Sequence, residues 1–366
     1  MQLDSLTLTN FKNIPQAQLA FSPKINCLLG NNGMGKSNLL DAIYMLSFCK
    51  SFLGAPDSMI IRAGEDFAIA KGSYTRRNVS EELTLGIKRG KRKTLKRGAK
   101  EYMKLSTHIG TFPLVMAAPQ DIDLIRGAGE ERRRWMDMVI SQSDPRYLDA
   151  LIRYNGALEQ RNKMLRDSIV DHNLYAAVEC VMDAAAHTIH SARAAWTARL
   201  SSIFHHLYTS IAGTEEEVSL RYISSLDSSS GSILPLLDSA RRHDEIVRHT
   251  SVGPHRDDIE MLLDSMPMRR TGSQGQCKTF TVALRLAQYE FLHQATSLRP
   301  LLLLDDIFDK LDATRVERIM NLVTSSDFGQ IFITDTDRSH LHSIVSRTSG
   351  GDHRMWSVSQ GTFIPE

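Results

Sequence analysis

Cysteine is scarce in this sequence, and its spacing excludes a disulfide framework or a structural zinc site. Four cysteines are spread over 366 residues, and no two of them have C-x-x-C spacing. Disulfide scaffolds and zinc sites both need several cysteines at short, regular intervals. We therefore expect a protein of a reducing compartment, the cytoplasm.

Long apolar runs and a leader-like N-terminus are also missing. The run of four leucines at 301–304 ends at once in Asp305 and Asp306, and no other apolar run is much longer. A membrane span needs about 20 apolar residues. The opening MQLDSLTLTN lacks the basic region and apolar core of a secretory signal. These absences predict a soluble protein that has no membrane partner.

A strong excess of one charge is absent as well, since the formal net charge is only +2. A nucleic-acid surface would therefore have to be a local concentration of positive charge. Residues 88–100 offer one, because eight of these thirteen are Lys or Arg and none is acidic. Two interpretations remain open, a solvated turn of a hairpin and a DNA contact. The candidate DNA-binding residues in this segment are Lys91, Arg92, Lys93, Lys96 and Arg97.

Short apolar strands and amphipathic helices alternate along the chain, which predicts an α/β fold. Residues 25–29 predict a core strand, and the apolar positions after Lys36 follow a helical stripe. Residues 301–304 and 330–334 predict the last two buried strands. A helix is expected from about 279 to 293, just before the strand at 301–304.

Residues 130–212 are predicted to be strongly helical. Part of this region carries apolar or asparagine residues at alternating steps of three and four, a heptad pattern about three heptads long. Such a helix packs inside a domain and does not form a projecting arm. The predicted seam consists of Leu148, Leu151, Asn155, Leu158, Asn162, Leu165 and Ile169.

Residues 30–37, GNNGMGKS, match the phosphate-binding pattern G-x-x-x-x-G-K-[ST] in full. Backbone N–H groups of such a loop and the positive end of the next helix surround phosphate oxygens. Lys36 would reach the β- and γ-phosphates, and the Ser37 hydroxyl would ligate Mg²⁺. The sequence thus predicts ATP and Mg²⁺ as cofactors. The predicted nucleotide-binding residues are Gly30, Asn31, Asn32, Gly33, Met34, Gly35, Lys36 and Ser37.

A second acidic element stands at the end of the predicted strand 301–304. Asp305 would hold Mg²⁺ through water, with Ser37 as the other protein ligand. Asp306 would be the catalytic residue, because it could orient or deprotonate the attacking water.

SQGQ, the four residues Ser273, Gln274, Gly275 and Gln276, precedes a predicted helix and so forms a second anion site. It stands about thirty residues before Asp305 and resembles the signature motif of ABC-type ATPases. In that class the signature of one subunit completes the nucleotide site of another. The resemblance therefore implies a signature acting in trans and an ATP-dependent homodimer. Asp312 stands where the class has its D-loop.

Other P-loop functions fit fewer of these features. The energising subunit of a membrane transporter shares the three motifs, but the P-loop and Asp305 lie about 270 residues apart here. A transporter also has no use for the basic segment or the helical region. A small-molecule kinase would need neither the SQGQ turn nor a dimer. Length excludes a long-armed SMC or recombination-repair ATPase.

The chain resembles the RecF family, bacterial recombination-repair ATPases related to SMC proteins, nearly end to end. Two of the matching blocks, ERRRWMD and GPHRDD, belong to no general P-loop pattern. The matches are TNFKNI at 9–14, the P-loop with Asn38 after it, CKSF at 49–52, APQDIDLIRGAGEERRRWMD at 118–137, YLDALIRYNGALEQRN at 147–162, VGPHRDD at 252–258, SQGQCK at 273–278 and LLLLDDIFDKLD at 301–312.

The resemblance implies an ABC-type, SMC-like ATPase head of the α/β class, without a long coiled coil. The expected ATPase lobe comprises 1–125 and 250–366, with a helical lobe, 126–249, inserted into it. The family further implies ATP-dependent dimerisation on single-stranded, gapped or junction DNA, weak ATPase activity used as a switch, and help with recombinase loading. RecR is the partner implied, with RecO a further candidate.

Several positions keep two interpretations. Gln120 lies near the place of a Q-loop, where it would contact magnesium, and is equally well a plain loop glutamine. Arg62 corresponds to an arginine that SMC-like heads place near DNA. The arginines at 132–134 are either DNA contacts or a solvated helix face with partners such as Glu131. His255 and Arg256 favour a structural turn over a functional one.

Two departures from the ABC class concern the chemistry itself. The class usually has glutamate where this chain has Asp306, and the shorter side chain predicts slow turnover. Thr334 and Asp335 stand where many ABC proteins have a histidine, so a γ-phosphate contact is not expected from there.

Overall fold

The computed structural model describes residues 1–213, 216–226, 231–309, 311–325, 327–338, 345 and 352–366. In chain order the strands among them are β1 (Gln2–Phe11), β2 (Ile14–Ala20), β3 (Ile25–Leu29), β4 (Phe67–Arg76), β5 (Val79–Lys88), β6 (Thr94–Arg97), β7 (Lys100–Glu101), β8 (Leu114–Ala117), β9 (Val218–Ile223), β10 (Asp258–Leu263), β11 (Met266–Pro267), β12 (Leu301–Asp305), β13 (Ile331–Asp335), β14 (His353–Ser359) and β15 (Thr362–Pro365).

The α-helices are α1 (Lys36–Phe48), α2 (Asp57–Ile60), α3 (Asp123–Arg126), α4 (Gly129–Ser143), α5 (Pro145–Arg166), α6 (His172–Ala212), α7 (Leu234–Val247), α8 (Met268–Thr271), α9 (Gln274–Thr296) and α10 (Ala313–Thr324). Short 3₁₀ helices occupy Leu105–His108, Pro119–Ile122 and Pro254–Arg256. Among the described residues, no helix combines the length and the apolar character that a bilayer crossing requires.

The chain divides into two compact units. The first comprises Met1–Asp121, Ser210–Gly213 and Lys278–Glu366, and the second comprises Ile122–Thr209 and Thr214–Cys277. The second unit thus continues past residue 249, the expected end of the helical lobe.

The first unit contains two six-stranded sheets. One has the order β2-β1-β4-β5-β6-β7, and all its neighbours are antiparallel. The other has the order β15-β14-β3-β13-β12-β8, in which only β15 pairs antiparallel. Its central strands β3, β13 and β12 are buried throughout, as parallel strands covered on both faces must be. Helix α1 contacts strands of both sheets.

One prediction for this unit needs correction. The strand at 25–29 and the strand that delivers Asp305 are confirmed, but the strand after residue 330 is not the last. β14 follows it and pairs parallel with β3. Its sequence, HRMWSVS, mixes polar and apolar residues, so it lacks the continuous apolar run by which the other core strands are found.

In the second unit, a three-stranded antiparallel sheet, β11-β10-β9, accompanies the helices. The heptad spacing predicted on α5 is correct, but its phase is wrong by one residue. The buried positions are Tyr147, Ala150, Tyr154, Ala157, Arg161, Met164 and Leu165. Two tyrosines and an arginine occupy the true seam, and none of the three is among the apolar or asparagine residues of the predicted seam. Of the predicted seam only Leu165 is buried, while Asn155 and Ile169 are exposed.

Candidate nucleotide-binding site

The phosphate-binding loop, residues 30–37, connects β3 to α1 at the carboxyl edge of the parallel strands. Gly35 precedes the helix with φ 114°, a conformation that favours glycine. At Gly30 a Cβ atom would lie 2.4 Å from the carbonyl oxygen of Val358 on β14. Glycine is therefore required at Gly35 for the backbone conformation and at Gly30 for close packing against β14.

Lys36 places its ammonium group inside this loop. Its Nζ donates to the carbonyl oxygens of Gly30 (2.5 Å) and Asn31 (3.2 Å), and the residue is almost fully buried. A buried cation encircled by backbone is positioned to bind phosphate oxygens that enter the loop.

The loop is braced by residues that sequence reasoning did not single out. Asn13, in the turn between β1 and β2, donates to the carbonyl oxygen of Met34 (3.4 Å) and accepts from the Asn38 side chain (2.8 Å). From the β14–β15 turn, the N–H of Gly361 donates to the same Met34 oxygen (2.8 Å). These contacts explain the TNFKNI block and the asparagine after the P-loop, which together were the available signal.

Asp305 ends β12, which is separated from β3 by β13, and its side chain meets the P-loop directly. The Ser37 hydroxyl donates to Asp305 Oδ1 at 2.9 Å, and the Thr334 hydroxyl donates to the same oxygen at 2.7 Å. Burial raises the pKa of Asp305, although hydrogen bonds from Thr334 and Ser37 and the charge of Lys36 counteract it. Ser37 and Asp305, two predicted metal ligands, are thus brought together.

This pair suits a magnesium ion. Hydroxyl and carboxylate oxygens are the ligands that Mg²⁺ takes, usually one or two from protein and the rest from phosphate and water. A buried carboxylate with a raised pKa also gains from a cation beside it. The part of the chain that the structure describes has no cluster of three or more His, Cys, Asp or Glu residues able to cage a metal. Such a cage is not needed where phosphate completes the coordination.

Asp306 adopts an unusual backbone conformation. Its φ is 46°, in the left-handed region that L-residues rarely enter. Its N–H donates to Thr334 Oγ1 at 3.0 Å. Burial raises the pKa of the Asp306 carboxyl, Lys36 lowers it, and the other nearby carboxylates raise it further. The predicted catalytic side chain therefore lies at the same sheet edge, half-buried.

Gln120 follows β8, the strand beside β12, and is exposed in the 3₁₀ turn Pro119–Ile122. Its neighbour Asp121 is buried and forms a bidentate pair with Arg285 (2.9 and 2.5 Å). The turn is thereby fixed at the edge where the P-loop lies. Both interpretations of Gln120, a magnesium contact and a plain loop residue, remain.

The signature residues belong to the second unit. Helix α9 begins at Gln274, not near 279 as predicted, so SQGQ forms its first turn. Ser273 Oγ accepts from the N–H of Gln276 (3.2 Å), and the Gln276 side chain accepts from the N–H of Ser273 (2.8 Å). This reciprocal pair is a capping box, a local reason for the earlier start.

Gln276 is held by a residue that the sequence did not reveal. Its Nε2 donates to Glu216 at 2.8 Å, and the Tyr208 hydroxyl donates to the other oxygen of Glu216 at 2.6 Å. In the first unit, the predicted D-loop residue Asp312 caps α10 by accepting from the N–H of Arg315 (2.9 Å).

The basic segment 88–100 is less uniform than its sequence suggests. It contains two turns with β6 between them, and β6 pairs with β5. Lys93 forms an ion pair with Asp57 (2.7 Å), and Arg97 forms one with Glu81 (2.8 Å). The other three candidates, Lys91, Arg92 and Lys96, are exposed, with no ion pair among the described residues.

Arg62 is half-buried, and its N–H donates to the carbonyl oxygen of Asn10 at 2.9 Å. It follows Ile61, which forms a bridge with Phe11 at the end of β1. The structure thus places this candidate DNA contact in the first unit, beside the strand that leads into the TNFKNI turn.

The blocks ERRRWMD and GPHRDD meet in the second unit. Arg132 and Arg133 face the second block: Arg132 pairs with Asp258, and Arg133 donates to the carbonyl oxygen of Asp257. The solvated-face interpretation holds only for Arg134, which pairs with Glu130 and Glu131.

His255 is structural, as favoured. It hydrogen-bonds to the Tyr154 hydroxyl and to the carbonyl oxygen of Thr250, and burial lowers the pKa of His255 to about 4. Its neighbour Arg256 is exposed and donates to the same Thr250 oxygen at 3.4 Å.

Comparison with known proteins places these features in a family. A family model for the RecF/RecN/SMC N terminal domain matches residues 2–109. A curated relative, the "DNA replication and repair protein RecF" of Parabacteroides distasonis, is 47% identical over 365 residues, 100% of this chain and 99% of that relative.

Solved structures agree with this match. One described as "the recombination mediator protein RecF-ATPrS in RecFOR pathway" superposes with a TM-score of 0.89 and 26% identity, covering 100% of this chain and 98% of that one. The Smc head domain of Pyrococcus furiosus shares the fold at a TM-score of 0.58 and 16% identity, covering 100% and 95%. The predicted fold class, an ABC-type, SMC-like ATPase head, is confirmed.

Proposed function

Because this chain belongs to the RecF family, we propose that it is an ATP-dependent DNA-binding protein of recombinational repair and replication. It dimerises on binding ATP, holds single-stranded or gapped DNA, and helps a recombinase to load at gaps. The observation that carries this proposal is the 2.9 Å hydrogen bond from Ser37 to Asp305, which joins the P-loop to the acidic strand end.

The site supports ATP binding by one chain as follows. Lys36 turns from the carbonyl oxygens of Gly30 and Asn31 to the β- and γ-phosphates, a move that exchanges neutral acceptors for charged ones. Ser37 and Asp305 hold Mg²⁺, which neutralises phosphate charge when bound. The backbone N–H groups of the loop and of the first turn of α1 complete the phosphate contacts.

The second half of the nucleotide site comes from another copy of the chain. The first turn of α9, with Ser273 and Gly275, offers an anion-binding helix start, and Asp312 lies at the start of α10. In the ABC class both motifs act across the dimer. A site completed by a second subunit makes ATP a cross-link, so nucleotide binding favours the dimer by mass action.

DNA and protein partners follow from the family. The related protein whose description places it in a RecFOR pathway supports RecR as a partner of this chain, with RecO a further candidate. The exposed residues Lys91, Arg92 and Lys96, together with Arg62, are the proposed DNA contacts.

Sedimentation with gapped DNA, with and without ATP, tests this function. Wild type should form ATP-dependent dimers and bind DNA more tightly with ATP, and Lys36→Arg should lose both effects. Lys71→Arg is a matched control, since this exposed strand residue pairs with Glu82 and has no role in the site. ATP-independent dimers, or full DNA binding by Lys36→Arg, would contradict the proposal.

Hydrolysis releases the dimer and is slow, because Asp306 is one methylene shorter than the usual glutamate. Asp306→Asn should therefore retain ATP-dependent dimers and lose turnover. A steady-state rate of tens per second for the wild type alone would contradict a binding switch.

A further inference from the structure

Thr334 makes two hydrogen bonds that join both acidic residues of the site. It lies near the end of β13 and is fully buried. Its hydroxyl donates to Asp305 Oδ1 (2.7 Å) and accepts from the N–H of Asp306 (3.0 Å). A hydroxyl has one proton and two lone pairs, so this donor is fully committed to Asp305.

The two hydroxyls that donate to Asp305 would have different roles once MgATP is bound. Ser37 and Thr334 both donate to Oδ1 of Asp305. When the site fills, Ser37 would give an oxygen lone pair to the cation and keep its proton for Asp305, so its position would depend on the ligand. Thr334 has no such second task, and its proton serves only to orient the Asp305 carboxylate.

The second bond acts on the backbone of Asp306. A φ of 46° is unfavourable for aspartate and persists only where surrounding contacts impose it. The acceptor offered by Thr334 is such a contact. It fixes the point from which the Asp306 side chain extends and so determines where its carboxylate meets the attacking water.

The strand end that carries Thr334 is itself tied to the P-loop. The N–H of Gly30 donates to the carbonyl oxygen of Asp335 at 3.3 Å, and β13 pairs with both β3 and β12. Thr334 therefore lies on β13, between β3, which leads into the P-loop, and β12, which ends in Asp305.

We propose that Thr334 is a positioning residue for ATP hydrolysis, which sets the Asp305 carboxylate and the Asp306 backbone with one hydroxyl group. This inference rests on the proposed ATPase function. Position 334 thus contributes through the acidic residues and not through a contact to the γ-phosphate.

Thr334→Val and Thr334→Ser separate the hydroxyl from the volume of the side chain. Valine keeps the shape and removes both hydrogen bonds, so kcat should fall about 10- to 100-fold, as for other residues that orient metal ligands. The Mg²⁺ concentration for half-maximal activity should rise, while the affinity for a fluorescent ATP analogue changes less than kcat. Serine should restore kcat to within about threefold of wild type, because the hydroxyl is kept.

Thr197→Val is the matched control, since Thr197 is a buried threonine of α6 whose hydroxyl, among the described residues, donates to its own helix (Arg193 oxygen, 2.8 Å). If Thr334→Val is unfolded at the assay temperature, Thr334→Ala provides the same comparison. Wild-type kcat and Mg²⁺ dependence in the folded hydroxyl-free variant would overturn the inference alone. Failure of the wild type to bind or hydrolyse MgATP would overturn the proposed function as well.

Discussion

Arg132 and Asp258 are joined by two parallel hydrogen bonds across 126 residues of sequence, Nε to Oδ1 at 2.6 Å and Nη2 to Oδ2 at 2.9 Å. Arg132 also donates to the carbonyl oxygens of Leu124 (3.1 Å) and Gly127 (3.0 Å). Burial would raise the pKa of Asp258, but the hydrogen bonds and charge of Arg132 hold that pKa below its ordinary value. One guanidinium thus joins α4, the preceding helix α3 with Gly127 after it, and β10.

Arg132→Ala should therefore destabilise the second unit by about 3 kcal/mol, since it removes the guanidinium partner of a carboxylate and the hydrogen bonds that the guanidinium donates to two carbonyl oxygens. Arg132→Lys should recover only part of the lost free energy of unfolding, because an ammonium cannot form the bidentate pair. Urea unfolding followed by tryptophan fluorescence measures this. Trp135 and Trp196 contact each other in this unit, and a Trp356→Phe background removes the third tryptophan.

Arg134→Ala on the same helix is the control. Arg134 is well exposed, and its ion pairs within the described part of the chain are to Glu130 and Glu131, so its loss should change the free energy of unfolding by less than about 0.5 kcal/mol. Equal effects of the two substitutions would mean that the buried pair contributes no more than a surface one.

The difference between these arginines could have been predicted from helix phase. Arg132 stands three and four residues before Trp135 and Met136, in line with the buried Val139 and Ile140, whereas Arg134 is on the opposite face. The partner of Arg132 could not be predicted, because the sequence carries no information on which distant carboxylate meets the helix. The predicted phase of α5 is wrong for a related reason, since Tyr147, Tyr154 and Arg161 carry polar groups and are nevertheless buried.

In the nucleotide site, the predictable part was local. The P-loop, its strand and its helix are adjacent in sequence, and Asp305 ends an apolar run. The roles of Asn13, Thr334 and Gly361 arise only when distant segments pair, and single residues of these types have no distinctive spacing. Glu216 is also far from Gln276 in sequence, so their contact could not be predicted before the structure was known.

The basic segment 88–100 now separates into paired and unpaired charges, which gives a DNA-binding test. Each neutralised phosphate adds about 0.9 to the slope of log K against log salt on duplex DNA. Replacing Lys91, Arg92 and Lys96 with alanine should therefore lower that slope by up to about 2.7. Fluorescence anisotropy over a salt series measures it.

The matched variant replaces Lys93 and Arg97, whose charges are already paired with Asp57 and Glu81. Its slope should change by less than that of the unpaired set. An unchanged slope in both variants would favour the solvated turn and remove the segment from the DNA surface.

The contact between Gln276 and Glu216 predicts an effect on dimerisation that leaves nucleotide binding intact. Glu216→Ala removes the acceptor that fixes the first turn of α9, and the loss of one charge-assisted hydrogen bond should weaken the ATP-dependent dimer about tenfold. Binding of ATP by the single chain should not change, because the P-loop residues and their hydrogen bonds lie in the first unit. Sedimentation velocity with ATP measures the dimer.

Glu217→Ala serves as control, because this neighbouring glutamate is exposed and the hydrogen bonds that join it to Asp264 are made by its backbone N–H and carbonyl oxygen, which alanine keeps. Dimers of undiminished stability in Glu216→Ala would show that the capping box alone positions the signature.

Two histidines, the buried His108 and the partly buried His255, should make the chain lose stability in acid. Burial lowers the pKa of His108, in the first unit, and of His255, in the second, to about 4, against about 6.5 for the unfolded chain. The unfolded state therefore binds more protons between these values. The unfolding free energy should be highest above pH 6.5 and should fall as pH drops from 6.5 to 4, by about 1.4 kcal/mol per pH unit for each histidine.

The reason lies in the second ring nitrogen of each histidine. His108 donates from Nε2 to the carbonyl oxygen of Leu46 (2.7 Å), and its buried Nδ1 has no partner among the described residues, so a proton there would be unsolvated. His255 Nδ1 accepts from the Tyr154 hydroxyl (2.7 Å), and protonation removes that acceptor. His108→Gln and His255→Gln should each make the pH dependence shallower, and the double variant should lose both contributions. Urea unfolding at pH 8, 6 and 5 measures this, and a double variant as acid-sensitive as wild type would place the titrating groups elsewhere.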